Sequence, residues 1–333
     1  MTTYKGINGF AVQSVASDPS PLDEGQVWYN NATYAFKLAA LTTAGTWAAG
    51  GNLNTARHNL GGAGLTQTAA LVFGGGNPAP VLSASESYNG TSWTTTPSLN
   101  TARKTLAGTG SQTAALGMGG YLQPGGSSAV ESWNGSSWTS STSLPETRFN
   151  NAGVGPSTAA LTFGGDLFPG PVRFANTSFL FNGSTWTAGG TMNTARRALN
   201  GVGTPTAALG FGGTVSGPAP SAATESYNGT SWTSVNSMNT ARANLTGFGT
   251  QTSAVGVGGD NPGILTATEI WNGTSWTNNP NGLATARTGS SNSGAGTLTA
   301  GVIAGGSTAT AGVSDTEEWT GPGVPQTKTI TTS

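Results

Sequence analysis

Thr55-Ala56-Arg57, Thr68-Ala69-Ala70-Leu71-Val72-Phe73-Gly74-Gly75 and Glu86-Ser87-Tyr88-Asn89-Gly90-Thr91-Ser92-Trp93-Thr94 are three pieces of one unit, and the chain carries six copies of it. The Arg of the unit recurs as Arg103, Arg148, Arg196, Arg242 and Arg287, at intervals of 45 to 48 residues. A repeat of this length built only of short strands predicts one blade of a β-propeller per copy.

Each piece of the unit has a structural reading. The stretch after the Arg is Gly-rich, as in Ala107-Gly108-Thr109-Gly110 or Gly247-Phe248-Gly249. A strand so poor in side chains suits the innermost place of a blade, where neighbouring backbones crowd one axis. Thr68–Phe73 is apolar on both faces, as a strand sandwiched between two blades must be. The Gly-Gly pair that ends it, Gly74-Gly75, supplies backbone conformations with positive φ. An aromatic then closes the third strand (Tyr88, Trp133, Phe181, Tyr227, Trp271, Trp319), and Asn-Gly follows it in five copies of six, a hairpin signal. The Trp that opens the fourth strand (Trp93, Trp138, Trp186, Trp232, Trp276) reads as a wedge between blades that needs one partner for its N–H.

The sixth copy lacks its fourth strand. The missing piece stands at the other end as Gly45-Thr46-Trp47, ten residues before Arg57. The expectation is an all-β, six-bladed propeller over residues 45–320, closed by the N-terminal strand around Trp47 so that no sheet edge is left open. Residues 1–44 form an N-terminal extension outside the repeat, and residues 321–333 a C-terminal tail. The tail is polar and Thr-rich, either frayed or paired as a strand with a neighbouring subunit.

Composition narrows the chemistry. Of 333 residues only 8% are charged, and the net charge is -1. A duplex-DNA binder needs a basic face, and nothing supplies one. With no Cys, neither disulfides nor thiolate metal sites are expected. The first 25 residues lack the basic and apolar regions of a secretory signal, and no apolar run approaches membrane-spanning length.

The Gly-Gly pair, the third-strand aromatic, the Trp just after it and the Arg some ten residues beyond together resemble the kelch repeat, over roughly Trp47 to Trp319. The near-uniform Asn-Gly-Thr-Ser-Trp hairpin is tighter than in most cellular kelch repeats, and the copies are unusually alike, as in kelch-like proteins of bacteria and phages. In the extension, Glu24-Gly25-Gln26-Val27-Trp28-Tyr29-Asn30-Asn31-Ala32-Thr33-Tyr34-Ala35-Phe36-Lys37 alternates and turns at Asn30-Asn31. It resembles the Gly-Gln-Ile-Trp-Tyr-Asn hairpins of phage tail-fibre and other virion proteins. That resemblance implies an assembly hairpin whose aromatics Trp28, Tyr29, Tyr34 and Phe36 are buried against another chain. The alternative is a simple cap on the propeller.

Three sets of residues are candidate sites. Arg57, Arg103, Arg148, Arg196, Arg242 and Arg287 should ring one mouth of the channel. They either grip an anion, such as a glycan or a partner's carboxylates, or pair with Glu86, Glu131, Glu225, Glu269 and Glu317, two residues before the third-strand aromatic. In the third copy Phe179 replaces that Glu. The loops after each Gly-Gly pair vary most and share one face, and Tyr121, Gln123, Asp166, Phe168, Asp260 and Asn261 are their ligand candidates. His58, the sole His, is followed through the copies by Lys104, Phe149, Arg197, Ala243 and Thr288, a variable position suited to a surface side chain. No catalytic residue, cofactor or metal is expected.

The family resemblances imply a non-enzymatic virion component of tail or fibre type, made in the host cytoplasm and present in several copies. Its partners are other virion proteins and, through the loops, a host-surface glycan or protein. Neither nucleic acid nor a membrane is an expected partner. The alternative is a secreted bacterial carbohydrate-binding propeller.

Overall fold

The computed structural model describes residues 4–7, 10–41, 44–77, 80–169, 173–217, 219–289, 293–309, 311–323 and 325–330. Pro78, Ala79 and Pro218 of the variable loops lie outside them. Every regular element among the described residues is a strand. The chain divides into two compact units, Met1–Gly45 with Thr320–Ser333, and Thr46–Trp319.

The first unit is one five-stranded sheet. Its strands are β1 (Tyr4–Ile7), β2 (Phe10–Val15), β3 (Val27–Asn30) and β4 (Ala35–Leu41), followed in the sheet by Pro325–Thr329. β3 and β4 make the expected hairpin, with Trp28 opposite Lys37 and Tyr29 opposite Phe36. The Asn30 side chain shapes its turn by accepting from the N–H groups of Ala32 and Thr33, both at 3.0 Å. Within the described residues the C-terminal segment is a strand paired inside its own chain. Pro325–Thr329 runs antiparallel to β4, from Pro325 opposite Leu41 to Thr329 opposite Lys37. A β-hairpin leaves backbone groups unpaired along its outer edge, and a Thr-rich strand satisfies them.

The second unit, Thr46–Trp319, has a propeller-like all-β architecture. Among its described residues six four-stranded antiparallel sheets repeat one strand order. In the first copy the order is Gly61–Thr66, Ala69–Phe73, Ser85–Tyr88 and Trp93–Thr96. The last sheet begins with Ala295–Gly296, Ala300–Ala304 and Thr316–Thr320. Its fourth strand is β5 (Thr46–Ala49), so the strand around Trp47 does complete the sixth copy.

The innermost strands touch in sequence, each against the next copy's and the sixth against the first. Glycine makes this approach feasible: a Cβ on Gly108 would lie 2.2 Å from the carbonyl oxygen of Gly62. Two cycles of backbone hydrogen bonds run through all six copies. In one, the second Gly of each pair donates to the carbonyl of the next copy's Arg, from Gly75 to Arg103 at 2.8 Å round to Gly306 to Arg57 at 2.9 Å. In the other, the residue two after each Arg donates to its counterpart in the preceding copy. Thr105 donates to Asn59, Asn150 to Thr105, Ala198 to Asn150, Asn244 to Ala198, Gly289 to Asn244, and Asn59 back to Gly289, at 2.5–3.0 Å. All six members hold φ between +52° and +66°, a conformation strained for Thr or Ala and stable only where the surroundings enforce it.

The hairpins follow their sequence. Asn89 accepts at Oδ1 from the N–H groups of Thr91 and Ser92, both at 2.9 Å, and Gly90 has φ of 91°. Tyr88 then faces Trp93 across the strands, with ring centroids 4.8 Å apart. The wedge Trps also tie copies together. Trp93 donates its indole N–H to Thr316 Oγ1 at 2.8 Å, Trp138 to Ser85 Oγ at 3.2 Å and Trp276 to Thr224 Oγ1 at 3.0 Å, each in the preceding copy.

Candidate binding face

The six repeat Args do not form an accessible ring. All are 0% exposed, and five pair with the third-strand Glu of their own copy. Arg57 meets Glu86 at 2.6 Å, Arg103 meets Glu131 at 2.9 Å, Arg196 meets Glu225 at 2.9 Å and Arg242 meets Glu269 at 3.1 Å, while Arg287 bonds Glu317. Burial lowers the pKa of Arg57, Arg103, Arg196 and Arg242, and the facing carboxylate opposes that shift. The carboxylate also pins the backbone leading into the Arg. Glu86 accepts from the N–H groups of Asn54 and Thr55 at 2.7 and 3.3 Å, while Arg57 Nη1 donates to the carbonyl of Ala84 at 2.5 Å. The Nε–H of each repeat Arg has no partner, but it is buried with the rest of the side chain, so the guanidinium is closed to an external anion and the array is one of structural pairs.

In the third copy the substitution of Phe179 for Glu is met from elsewhere. Glu146, two residues before Arg148, supplies the carboxylate, and Thr177 Oγ1 donates to it at 2.8 Å. The guanidinium of Arg148 lies 4.8 Å from the centre of the Phe179 ring. The sequence carries a signal for this exchange, since Glu146 stands where the other five copies have Thr.

The variable loops do lie together. The residue after each Gly-Gly pair forms a short bridge with the residue after the Arg, as between Lys104 and Tyr121, Phe149 and Asp166, or Ala243 and Asp260. The loops of copies two, three and five extend this bridge into small hairpins, at Tyr121–Leu122 with Gly125–Gly126, Asp166–Leu167 with Arg173–Phe174, and Asp260–Asn261 with Gly263–Ile264. The candidate loop residues are therefore near the Arg anchors in the fold, one bridge removed from them.

Those residues have unequal roles. Asp166 is fully buried. Its Oδ2 accepts from Asn150 Nδ2 at 2.8 Å and lies 3.4 Å from Arg197, whereas Oδ1 has no partner. Burial raises its pKa, and the bonds from Asn150 and Arg197 only partly offset that. Asp260 accepts from Asn244 Nδ2 and Thr288 Oγ1, both at 3.0 Å. Both acids thus clamp an Asn of the backbone cycle, a structural duty the sequence did not signal. Phe168 is 41% exposed and its ring lies on Gly125, so that the hairpins of copies two and three interlock. Tyr121 is half-buried beside Phe149, centroids 5.5 Å apart. Gln123 is exposed at its hairpin tip, and Asn261 is half-buried in the fifth copy's loop. His58 is half-buried, and burial followed by the charge of Lys104 lowers its pKa. Among the described residues no group of three or more His, Cys, Asp or Glu side chains is placed to hold a metal ion.

In the first unit the assembly candidates separate into two kinds. Trp28 is fully buried and donates its indole N–H to Asp18 Oδ1 at 3.0 Å. Asn30 Nδ2 donates to the same oxygen at 2.7 Å, and these two bonds hold the pKa of Asp18 below its usual value. Trp28 therefore belongs to the interior of this unit and is not available to another chain. Tyr29 packs on Phe36 at 5.0 Å. Tyr34 and Phe36 are 81% and 41% exposed and remain candidates for an external contact.

No family model matches the chain, and no curated protein matches it in sequence. Among solved structures, that of YjhT is similar with a TM-score of 0.65 at 13% identity, over 80% of this chain and 95% of YjhT. At that identity the likeness is one of fold alone, an all-β propeller-like architecture.

Proposed function

We propose that the chain is a non-enzymatic structural component of a phage particle, of tail or fibre type. Its Thr46–Trp319 unit is read as a closed six-bladed kelch-like propeller, supported by the six repeated sheets and the two backbone cycles. The N-terminal unit is the assembly element, and the propeller loops face the host surface. The observation that carries this reading is the small N-terminal sheet, which has a fibre-like hairpin and leaves Tyr34 and Phe36 uncovered. Tyr34 and Phe36 stand close together at one hairpin, and we take that exposed aromatic pair as the contact surface of this unit.

The test is mass spectrometry of purified particles from a phage encoding the chain, compared with a Tyr34→Ser, Phe36→Ser variant. The variant protein should fold and be lost from the particles. Wild-type protein missing from the particles, or the variant retained at normal copy number, would defeat the proposal.

A further inference from the structure

We infer that the sector of the loop face spanning copies two to four binds an anionic glycan. This inference deepens the host-contact part of the proposal above and rests on it. Nine basic side chains fall between residues 46 and 319. Six are the buried repeat Args, and the other three, Lys104, Arg173 and Arg197, all belong to this sector. Lys104 and Arg197 each directly follow a repeat Arg, where copies five and six carry the neutral Ala243 and Thr288. Arg173 stands in the hairpin strand that pairs with Asp166–Leu167.

Aromatic rings alternate with these cations. Lys104 Nζ lies 5.8 Å from the centre of the Tyr121 ring, and the Arg197 guanidinium 5.0 Å from that of Phe174. Phe168 lies between them in sequence, 41% exposed. Both acids of the sector are already engaged by an Arg: Asp166 is buried under Arg197, and Glu146, its side chain 34% exposed, is bonded to Arg148. Lys104 and the partly exposed Arg197 carry the positive charge of this face. A sugar ring offers a C–H face for aromatic rings, and an acidic sugar adds a carboxylate or sulfate for the two cations. A single-stranded nucleic acid also combines stacking with negative charge, but it requires a cationic groove that follows its backbone. Three basic residues on a chain of net charge -1 do not provide one.

Isothermal titration of the full chain with hexagalacturonate, dextran sulfate, neutral maltohexaose and a dT12 oligonucleotide tests the inference. At least one acidic saccharide should bind, more weakly as salt rises, and maltohexaose about tenfold more weakly or not at all. Lys104→Ser should weaken binding several-fold with an unchanged melting temperature, Phe168→Ser should weaken binding and also lower the melting temperature because its ring packs on Gly125, and Lys328→Ser in the other unit should leave binding intact. Because Arg197 also touches Asp166, Lys104→Ser is the variant that separates binding from folding. Failure of both acidic saccharides to bind, unchanged affinity in Lys104→Ser, or tighter binding of dT12 would overturn the inference. Particle mass spectrometry reads the virion proposal separately, so either idea can fall without the other.

Discussion

Tyr88 of the first copy donates its hydroxyl hydrogen to Glu318 Oε1 of the last at 2.6 Å. The bond crosses the seam where the two ends of the repeat array meet. Burial, and then the carboxylate, push the pKa of Tyr88 up to about 12. In the unfolded chain a Tyr ionises near pH 10. The folded state thus binds more protons between about pH 10 and 12, and stability contributed at this seam is complete below pH 10 and lost as pH rises through that window. Urea titrations from pH 8 to 12 should show wild type more stable than Tyr88→Phe at pH 8, with the gap closing above pH 10. A gap constant to pH 12 would contradict the assignment.

Removing one partner of a repeat ion pair should be costly. Glu131→Leu leaves the Arg103 guanidinium buried without its carboxylate, and frees the N–H groups of Asn100 and Thr101. The expected loss is about 3–5 kcal/mol. The double change Arg103→Met, Glu131→Leu should lose less than Glu131→Leu alone, because no charge stays buried. Chemical denaturation of the three proteins checks the order.

The third copy offers a rescue experiment. Glu146→Ala deprives Arg148 of its carboxylate and should destabilise by a similar amount. Adding Phe179→Glu rebuilds the pairing used in the other five copies and should recover part of the loss. A double-mutant cycle with no coupling between positions 146 and 179 would show that the two do not substitute for each other.

Trp232 packs against Phe163 and Tyr227, at centroid distances of 4.6 and 4.9 Å, and is 5% exposed. Trp232→Ala should cost about 3–5 kcal/mol. A loss below about 1 kcal/mol in thermal unfolding would mean that the neighbouring copies do not depend on the wedge.

Two truncations isolate the closing strand. Deleting residues 1–44 should leave the sheet of the sixth copy whole, and deleting residues 1–49 removes β5 and exposes the edge of Thr316–Thr320. Only the longer deletion should aggregate in size-exclusion chromatography beyond any effect of losing the N-terminal sheet.

The legible parts of this molecule are those written in side chains. Repeated Gly-Gly, Asn-Gly and Trp gave the strands, the hairpins and the wedge packing, and the split copy gave the role of Trp47. The scarcity and period of charge made the Arg–Glu pairs a readable alternative to an anion-binding ring. What stayed hidden is carried by the backbone or by local exchange. Asn59, Thr105, Asn150, Ala198, Asn244 and Gly289 share one φ region and one hydrogen-bond cycle; Asn or Gly at four of the six is a partial signal for that region, but Thr105 and Ala198 break it, since a peptide group donates and accepts whatever residue bears it. Asp166 looked like a loop ligand because its burial depends on Asn150 and Arg197, which approach it only in three dimensions. The polar tail offered no apolar pattern from which to infer its place beside β4.

The backbone cycles also bear on how such a chain arises and diverges. A cycle with six donors and six acceptors has no free end. Removing or adding one copy would open both cycles at once, so the array changes size only by re-forming every neighbour contact at a new angle, a rearrangement that propellers of about four to eight blades show to be feasible. Within the six copies a local exchange is cheaper, as where Glu146 serves Arg148 beside Phe179. The loops after each Gly-Gly pair can change length without touching either cycle.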